Sequence, residues 1–172
     1  TRAAIMGFYS PGGIRKRLAQ DVAEAERKLE EKPVDLPGLR YYQKEAINAL
    51  EDVILDGEHE ALLAMATGTG KTRTALGLIY RLVKFGRFHR ILFLVDRTTL
   101  GDQAMDTFRD VNVESTHALA DVYDVKDLDD LHPESDTRVH IATVQGMVRR
   151  IINRREDEDP IPVDRYDCII VD

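Results

Sequence analysis

Apolar and polar positions follow two alternating patterns from residue 39 onward. Apolar residues recur three or four positions apart, the helical spacing, in residues 40–55, 71–85, 98–108 and 145–152. Short continuous apolar runs, typical of strands buried on both faces, occupy residues 61–66, 90–95, 138–143 and 168–171. Strands that alternate with helices in this way predict an α/β domain, with an open, mostly parallel sheet and helices on both faces.

The first 37 residues have a different pattern. Ser10 and Pro11 are typical of a helix start, and apolar residues then recur at helical spacing. We therefore expect one amphipathic helix over residues 10–31 and a linker over residues 33–38. This helix can either pack on the main domain or connect it to a further domain. We accordingly divide the chain into a helical connector, residues 1–37, and a main domain, residues 38–172.

The net charge of the chain is concentrated in one short segment. The 172 residues include 24 Lys or Arg and 31 Asp or Glu, which gives a formal net charge of −7. Such a balance, taken alone, counts against nucleic acid as a partner. Residues 119–137, however, contain seven acidic residues and one basic residue, so the rest of the chain sums to −1. We expect this acidic segment to be a solvated loop, and the net charge does not exclude DNA.

Cysteine and apolar content indicate the compartment. The single cysteine, Cys168, cannot form an internal disulfide, so we expect a reducing cytoplasm, and its place in an apolar run indicates a small core residue. No apolar run approaches the roughly 18 residues of a membrane-spanning helix, and residues 1–13 lack the regions of a signal peptide. We therefore expect no membrane partner.

Residues 65–72, with the sequence MATGTGKT, join a predicted strand directly to a predicted helix. A phosphate-binding loop requires this strand–loop–helix context. Gly68 and Gly70 let the backbone curl so that N–H groups can point at phosphate oxygens, and the helix start adds its positive dipole end. Lys71 would reach the β- and γ-phosphates, and Thr72 would offer its hydroxyl to Mg²⁺. The strict pattern has Gly at position 65, where this chain has Met65, so an ordinary glycine-rich turn is the alternative.

A phosphate loop needs a metal-holding carboxylate from a neighbouring strand. Asp172 follows the apolar run of residues 168–171 directly, at the strand end where ligands bind in open parallel sheets. We expect it to hold Mg²⁺ directly or through water. The alternative is an Asp that only caps the end of a buried strand.

The two motifs MATGTGKT and IIVD together resemble the first motor domain of superfamily 2 helicases and translocases. In detail the chain resembles the restriction (motor) subunit of type I restriction-modification enzymes over essentially its whole length. Met65 is usual in that family. The resemblance implies a RecA-like P-loop NTPase fold that is truncated just after the Walker B strand, with the N-terminal helix as a connector. It also implies that the catalytic Glu that follows Asp172 in the family lies outside this chain.

Residues 39–43, LRYYQ, look like the adenine-reading motif of the same family. A Gln side-chain amide such as that of Gln43 can pair with two atoms of an adenine edge, and Arg40 can stack on the base or pair with a phosphate. Without the resemblance, a Gln on an amphipathic helix is most simply a solvated residue. The predicted cofactor-binding residues are Arg40, Gln43, Thr67, Gly68, Thr69, Gly70, Lys71 and Thr72, with Lys71 and Asp172 catalytic and Thr72 and Asp172 at the metal.

Two further segments resemble the DNA-facing motifs of the family. Arg97 and Thr98 follow the strand predicted at residues 90–95, and Thr143 and Gln145 follow the strand at residues 138–143. Hydroxyls, helix-start N–H groups and an Arg side chain can hold the phosphates of a DNA strand. For the first segment the alternative is that Thr98 or Thr99 caps the next helix, and both roles can coexist.

The resemblance implies an ATP-driven translocase of double-stranded DNA, with ATP and Mg²⁺ as cofactors and with methylase and specificity subunits as partners. Because a catalytic Glu, a second motor domain and a nuclease are missing from these residues, we expect the fragment alone to hydrolyse ATP poorly. The alternatives are a superfamily 2 helicase of another process, such as repair or type III restriction, and a non-catalytic nucleotide-binding module.

Overall fold

The computed structural model describes residues 21–96, 98–114, 117–127, 136–153, 161–162 and 164–172. Residues 98 and 99 are described as part of a helix, without their side chains. The predicted DNA-contacting residue Arg97 and the predicted helix start at Ser10 lie outside these ranges.

Helices and strands alternate along most of the described chain. The helices are α1 (Val22–Glu31), α2 (Tyr41–Leu55), α3 (Lys71–Lys84), α4 (Thr98–Asp110), α5 (Leu119–Val122) and α6 (Val144–Ile151). The strands are β1 (Ile91–Val95), β2 (Val125–Lys126), β3 (Val139–Thr143) and β4 (Cys168–Val171). None of these helices is long and apolar enough to cross a membrane.

The four strands form one parallel sheet in the order β2-β3-β1-β4. The central strand β1 pairs with β3 on one side, where Val95 lies opposite Thr143, and with β4 on the other, where Leu94 lies opposite Val171. Because all strands run the same way, their carboxyl ends meet at one edge, where the predicted site residues are located. The prediction of a mostly parallel α/β sheet is confirmed.

Helices cover both faces of this sheet, as predicted. Helix α4 packs on β1 and β3, and the Phe93 and Phe108 rings lie 5.8 Å apart in the main core. Successive strand residues point to opposite faces, so Leu92 and Ala142 lie on the other face, where Met147 of α6 packs against them. Cys168 packs against the main core as a small partly buried residue, and burial raises the pKa of its thiol to about 12.

Residues 61–66, predicted as a buried strand, do not form one. Leu62 is 96% exposed and Leu63 is 38% exposed. A strand exists only where a neighbour takes its backbone hydrogen bonds, and no described strand pairs with this segment. An apolar run is therefore not sufficient by itself to form a strand. Among the described residues, the phosphate loop therefore follows a segment that pairs with no strand.

The predicted helix over residues 10–31 is also corrected. Helix α1 begins at Val22, because the Asp21 side chain accepts a hydrogen bond from the Glu24 N–H at 3.0 Å and Asp21 itself has ψ 82°. The apolar residues of positions 18–25 keep helical spacing across Asp21, so spacing alone did not indicate that a helix begins there. Ala25 and Leu29 of α1 are buried, so the described part of the connector packs on the main domain.

The acidic segment of residues 119–137 is not a simple loop. It contains α5 and β2, and Leu119 is fully buried. Two of its acids satisfy local groups: Asp121 accepts from the Ala118 N–H at 2.9 Å, and Asp124 accepts from the Thr137 hydroxyl at 2.6 Å. These hydrogen bonds explain why acidic residues accompany regular structure here, while residues 128–135 lie outside the described ranges.

Candidate phosphate and metal site

The loop before α3 is a tight turn held by its own backbone. The Ala66 carbonyl accepts hydrogen bonds from the Thr69 N–H at 3.3 Å and from the Thr69 hydroxyl at 2.6 Å. Gly68 and Gly70 have φ of 79° and 84°, a left-handed conformation that glycine adopts without a steric penalty. Helix α3 starts at the next residue, so the turn directly precedes the amino end of the helix, which is the positive end of its dipole.

Basic side chains surround this loop without acidic partners. Lys71 is exposed, and Arg73 is partly buried with a buried Nε that has no hydrogen-bond partner among the described residues. Across the same part of the chain neither residue forms an ion pair, and the first turn of α3 contains no acidic residue. A cation at the amino end of a helix is electrostatically unfavourable unless an anion lies nearby. The arrangement therefore suits an anionic ligand.

Thr72 and Asp172 meet although 100 residues separate them in sequence. The Thr72 hydroxyl donates to Asp172 Oδ2 at 3.4 Å. Asp172 continues the register of β4, since its N–H donates to the Leu94 carbonyl at 2.9 Å. Neighbouring oxygen ligands of an octahedral Mg²⁺ lie about 3 Å apart, so one ion could contact both groups with little movement. The two residues predicted for the metal thus lie together at the carboxyl edge of the sheet.

The side chain of Gln43 is buried against the loop. It is 3% exposed, and its Nε2 group donates to the Thr69 carbonyl at 3.1 Å and to the Gly70 carbonyl at 3.2 Å. Its Oε1 accepts from the Arg40 N–H at 2.9 Å, which caps the start of α2. These contacts join the start of α2 to the loop, beside the predicted nucleotide site. The adenine contact of Gln43 stays a prediction.

Of the residues predicted to face DNA, Thr98, Thr143 and Gln145 are described, and they lie just after β1 and at the end of β3. Thr143 is the N-cap of α6, where its hydroxyl accepts from the Gly146 N–H at 3.0 Å, and its contact with DNA stays a prediction. Gln145 is exposed in the first turn of α6. Thr98 begins α4, which follows β1. Because Val95 at the end of β1 lies opposite Thr143 at the end of β3, the starts of α4 and α6 follow neighbouring strands. Both segments therefore lie at the carboxyl edge of the sheet, where β4 also ends.

Sequence reasoning missed three side chains, two of them beside the loop and one at the opposite edge of the sheet. The Tyr42 hydroxyl donates to the Thr69 carbonyl at 3.1 Å, and Arg73 packs so closely on Gly38 that a Cβ there would lie 2.4 Å from Nη2. Asp167 accepts hydrogen bonds from the His89 and Arg90 N–H groups, which ties β4 to the start of β1. Only Tyr42 had a sequence signal, its place beside Gln43. The other two depend on contacts between distant segments.

Known proteins match this chain over most of its length. Residues 37–172 match the protein family described as type III restriction enzyme, res subunit. The EcoKI type I restriction enzyme endonuclease subunit of Escherichia coli K12 is 50% identical over 135 residues, 78% of this chain and 11% of that protein. The EcoAI type I endonuclease subunit of E. coli is 53% identical over 64 residues, 37% of this chain and 8% of that protein.

A third relative has a lower identity and a longer alignment. The SsaAORF53P type I endonuclease subunit of Staphylococcus saprophyticus is 28% identical over 166 residues, 95% of this chain and 17% of that protein. The chain thus spans between 8% and 17% of the length of these three relatives. The family domain is a P-loop helicase domain, which agrees with the parallel sheet, the glycine turn and α3. This chain therefore belongs to the res subunit family of restriction enzymes, with a sequence similar to type I endonuclease subunits.

Proposed function

We propose that the chain binds ATP and Mg²⁺ as part of a DNA-translocating motor in a type I restriction endonuclease subunit. The observation that supports this most directly is the 3.4 Å contact between Thr72 and Asp172 beside the glycine turn. One residue starts the helix after the loop and the other ends β4, so two oxygen ligands converge at the helix end where phosphates bind. An ordinary glycine-rich turn would not require this convergence.

Each residue of the site has a distinct role in this proposal. Backbone N–H groups of the loop, residues 67–70, would hold phosphate oxygens, and Lys71 would bind the β- and γ-phosphates as a cation. Thr72 and Asp172 would hold Mg²⁺, which supplies charge neutralisation during phosphoryl transfer. Arg40 is exposed at the start of α2, on the side of the loop that Tyr42 and Gln43 contact, where it could meet a base or a phosphate.

Double-stranded DNA is the proposed macromolecular partner. The segments that contain Thr98, and Thr143 and Gln145, follow neighbouring strands at the same sheet edge as Asp172. A DNA backbone held there would lie next to the nucleotide site, which is the geometry a motor needs to couple the two. In the parent enzyme we expect methylase and specificity subunits as further partners, and a cytoplasmic location.

The central test is nucleotide binding by the 172-residue chain. We expect a fluorescent ATP analogue to bind in a Mg²⁺-dependent manner, and Lys71→Ala to weaken it by about tenfold to a hundredfold, because a charge-assisted phosphate contact is lost. Thermal stability should not fall with this exposed substitution, since it removes a cation that the helix dipole disfavours, and Lys44→Ala, on the flank of α2, is a matched control. Wild-type protein that binds no nucleotide would contradict the proposal.

Turnover is a separate expectation. Phosphoryl transfer needs a water-positioning group and usually an arginine from another domain, neither of which we assign to these residues. We expect little ATP hydrolysis by the chain, with or without duplex DNA. Robust DNA-stimulated turnover would show that these residues contain a complete catalytic set.

A type III restriction motor is the second candidate function, since the matching family carries that description. Both candidates use the same nucleotide site, so mutations there do not separate them. Copurification of the parent protein with methylase and with a separate specificity subunit favours type I. A stable complex without a separate specificity subunit favours type III.

A further inference from the structure

We infer that Arg73 is a further binding residue of the nucleotide site and that its guanidinium binds the α-phosphate. This role rests on the proposed function, and the sequence motifs do not assign it. Three features of the structure support it: the side of α3 on which Arg73 lies, the unmet hydrogen-bonding capacity of its side chain, and the charges around it.

Arg73 lies on a different side of the helix start from Lys71 and Thr72. Successive residues of an α-helix are rotated by about 100°, so residues 70 and 73 lie near the same face of α3. That face contacts α2, since a Cβ at Gly70 would lie 2.5 Å from Gln43 Nε2 and 3.9 Å from the Cβ of Arg73. Thr72 instead contacts the residue that follows β4. The two sides of the helix start therefore face α2 and β4.

The order of groups in a nucleotide assigns the α-phosphate to the side that faces α2. Its phosphates are joined in a row, and the nucleoside is attached at the α end. In the proposed site Lys71 binds the β- and γ-phosphates, Thr72 holds the metal, and Gln43 at the start of α2 keeps its predicted adenine contact. A nucleotide that spans these groups would extend from the β4 side toward α2. Its α-phosphate would then lie over the helix start, next to Arg73.

Within the described ranges, no acceptor holds the Arg73 side chain in place. Its Nε is buried and has no hydrogen-bond partner there. The guanidinium lies close to Gly38, where an added Cβ would be 2.4 Å from Nη2, so it rests against the backbone of the segment before α2. A buried donor without an acceptor is unfavourable. Rotation of the side chain toward an anionic oxygen would remove that penalty and form a charge-assisted hydrogen bond.

The charges around Arg73 favour an anion at the same place. The first turn of α3 contains no acidic residue, and Arg73 forms no ion pair with any residue that the structure describes. The positive end of the helix dipole disfavours a cation there and attracts a phosphate. Arg73 thus destabilises the chain without a ligand, and a phosphate bound between the guanidinium and the helix N–H groups would reverse this effect.

The test compares ATP, ADP and tripolyphosphate, each with Mg²⁺. Competition with a fluorescent ATP analogue gives their dissociation constants for the 172-residue chain, for Arg73→Met and for Arg73→Lys. We expect Arg73→Met to weaken all three ligands by the same factor, roughly tenfold, because a charge-assisted hydrogen bond to a phosphate is lost. Arg73→Lys keeps the charge without the planar guanidinium and should recover part of the affinity.

Other patterns of loss would overturn the inference. Unchanged affinity for all three ligands would mean that Arg73 binds none of them. A loss for ATP but not for ADP would assign the contact to the γ-phosphate. A loss for both nucleotides but not for tripolyphosphate would assign it to the base or the ribose. If the unaltered chain binds none of the ligands, the proposed nucleotide site is itself wrong.

Two further variants calibrate the result. Lys71→Ala should weaken ATP more than ADP, because Lys71 would also bind the γ-phosphate that ADP lacks. Arg109→Met makes the same substitution in the last turn of α4 and should leave all three affinities unchanged. The unfolding midpoint of Arg73→Met should not fall, which separates a lost ligand contact from damage to the fold. Equal weakening of the three ligands at an undiminished midpoint is the expected result.

Discussion

Helix α3 has basic side chains near both ends, and their surroundings are opposite. Near the carboxyl end, Arg81 is 3% exposed, and its guanidinium pairs with Glu51 at 2.6 Å and donates to the carbonyls of Leu29, Lys32 and Pro33. Near the amino end, Lys71 and Arg73 form no ion pair with any residue that the structure describes. We call the carboxyl end of α3, where the cation has partners within the protein, the saturated end. We call the amino end, where the cations have no ion-pair partner among the described residues, the unsaturated end.

The difference separates a cation with a structural role from two cations that are candidates for binding a ligand. A cation near the carboxyl end of a helix complements the helix dipole, and Arg81 has partners inside the protein that explain its burial. Lys71 and Arg73 stand where the dipole disfavours a cation, and the described fold offers them no compensation. We take this imbalance as the mark of an external anion. Three predictions follow from treating the two ends as different.

The largest effect is expected at the saturated end. Arg81→Met leaves the Glu51 carboxylate buried without its partner, and breaking such a pair costs about 3–5 kcal/mol of unfolding free energy. It also removes hydrogen bonds to the Leu29 carbonyl within α1 and to the Lys32 and Pro33 carbonyls just after it, so the connector should detach first. Denaturant unfolding measures the loss, and protease accessibility of residues 21–33 reports the detachment.

The matched control for Arg81 is the double variant Arg81→Met, Glu51→Leu. Removing both charges avoids an unpaired buried carboxylate, so this variant should recover part of the stability that Arg81→Met loses. Nucleotide affinity should remain at the wild-type value in the folded protein. If Arg81→Met costs less than about 1 kcal/mol, the pair behaves like a surface salt bridge and the contrast between the two ends of α3 disappears.

An intermediate effect is expected at the unsaturated end, where Thr72 and Asp172 converge. Thr72→Val or Asp172→Asn should reduce the Mg²⁺-dependent gain in ATP affinity by about tenfold, since each removes or weakens an oxygen ligand. Because both groups would bind one ion, the double variant should lose little more than either single variant. Dissociation constants with Mg²⁺ and with a chelator measure this gain.

Asp56→Asn changes an exposed carboxylate at the end of α2 and is the control for charge alone. It should leave the Mg²⁺-dependent gain unchanged. Fully additive losses at Thr72 and Asp172 would mean that the two residues act independently, and their 3.4 Å contact would then have no metal-binding significance.

The elements that periodicity predicted well are those that local sequence determines. Helix α2 begins one residue after the predicted start, α3 begins at Lys71 as predicted, and β4 has the predicted bounds. An amphipathic stripe is sufficient to locate a helix that packs on a sheet. The apolar run at 61–66 failed because a strand also needs a paired neighbour, and the run itself contains no information on that neighbour.

The candidate site also has features that the local sequence predicts and features that depend on the packing of distant segments. Loop chemistry and the positions of Thr72 and Asp172 were predictable, because glycine, lysine, hydroxyl and carboxylate groups have fixed roles at fixed positions beside a strand end. The partners of Gln43 were not, since they depend on how α2 packs against a loop 26 residues later. Gln43 was singled out by resemblance, and only the packing shows which atoms its amide contacts.

The smallest change in unfolding free energy is expected for Arg73. Whether the free energy rises or falls tests the comparison between the two ends of α3 most directly. Arg73→Met removes a cation from the first turn of α3 and keeps an apolar stem beside Gly38, so the unfolding free energy should rise by about 0.3–1 kcal/mol. Denaturant unfolding at low salt measures this change, and added salt should diminish it because screening weakens the dipole interaction.

Arg109→Met, in the last turn of α4, is the control of opposite sign. There the cation complements the dipole and also pairs with Asp127 at 3.7 Å, so its removal should lower the unfolding free energy by at least a similar amount at low salt. A loss of more than about 1 kcal/mol for Arg73→Met would mean that its guanidinium is partnered within the protein. The two ends of α3 would then be equally satisfied, and the unsaturated end would no longer argue for an anionic ligand.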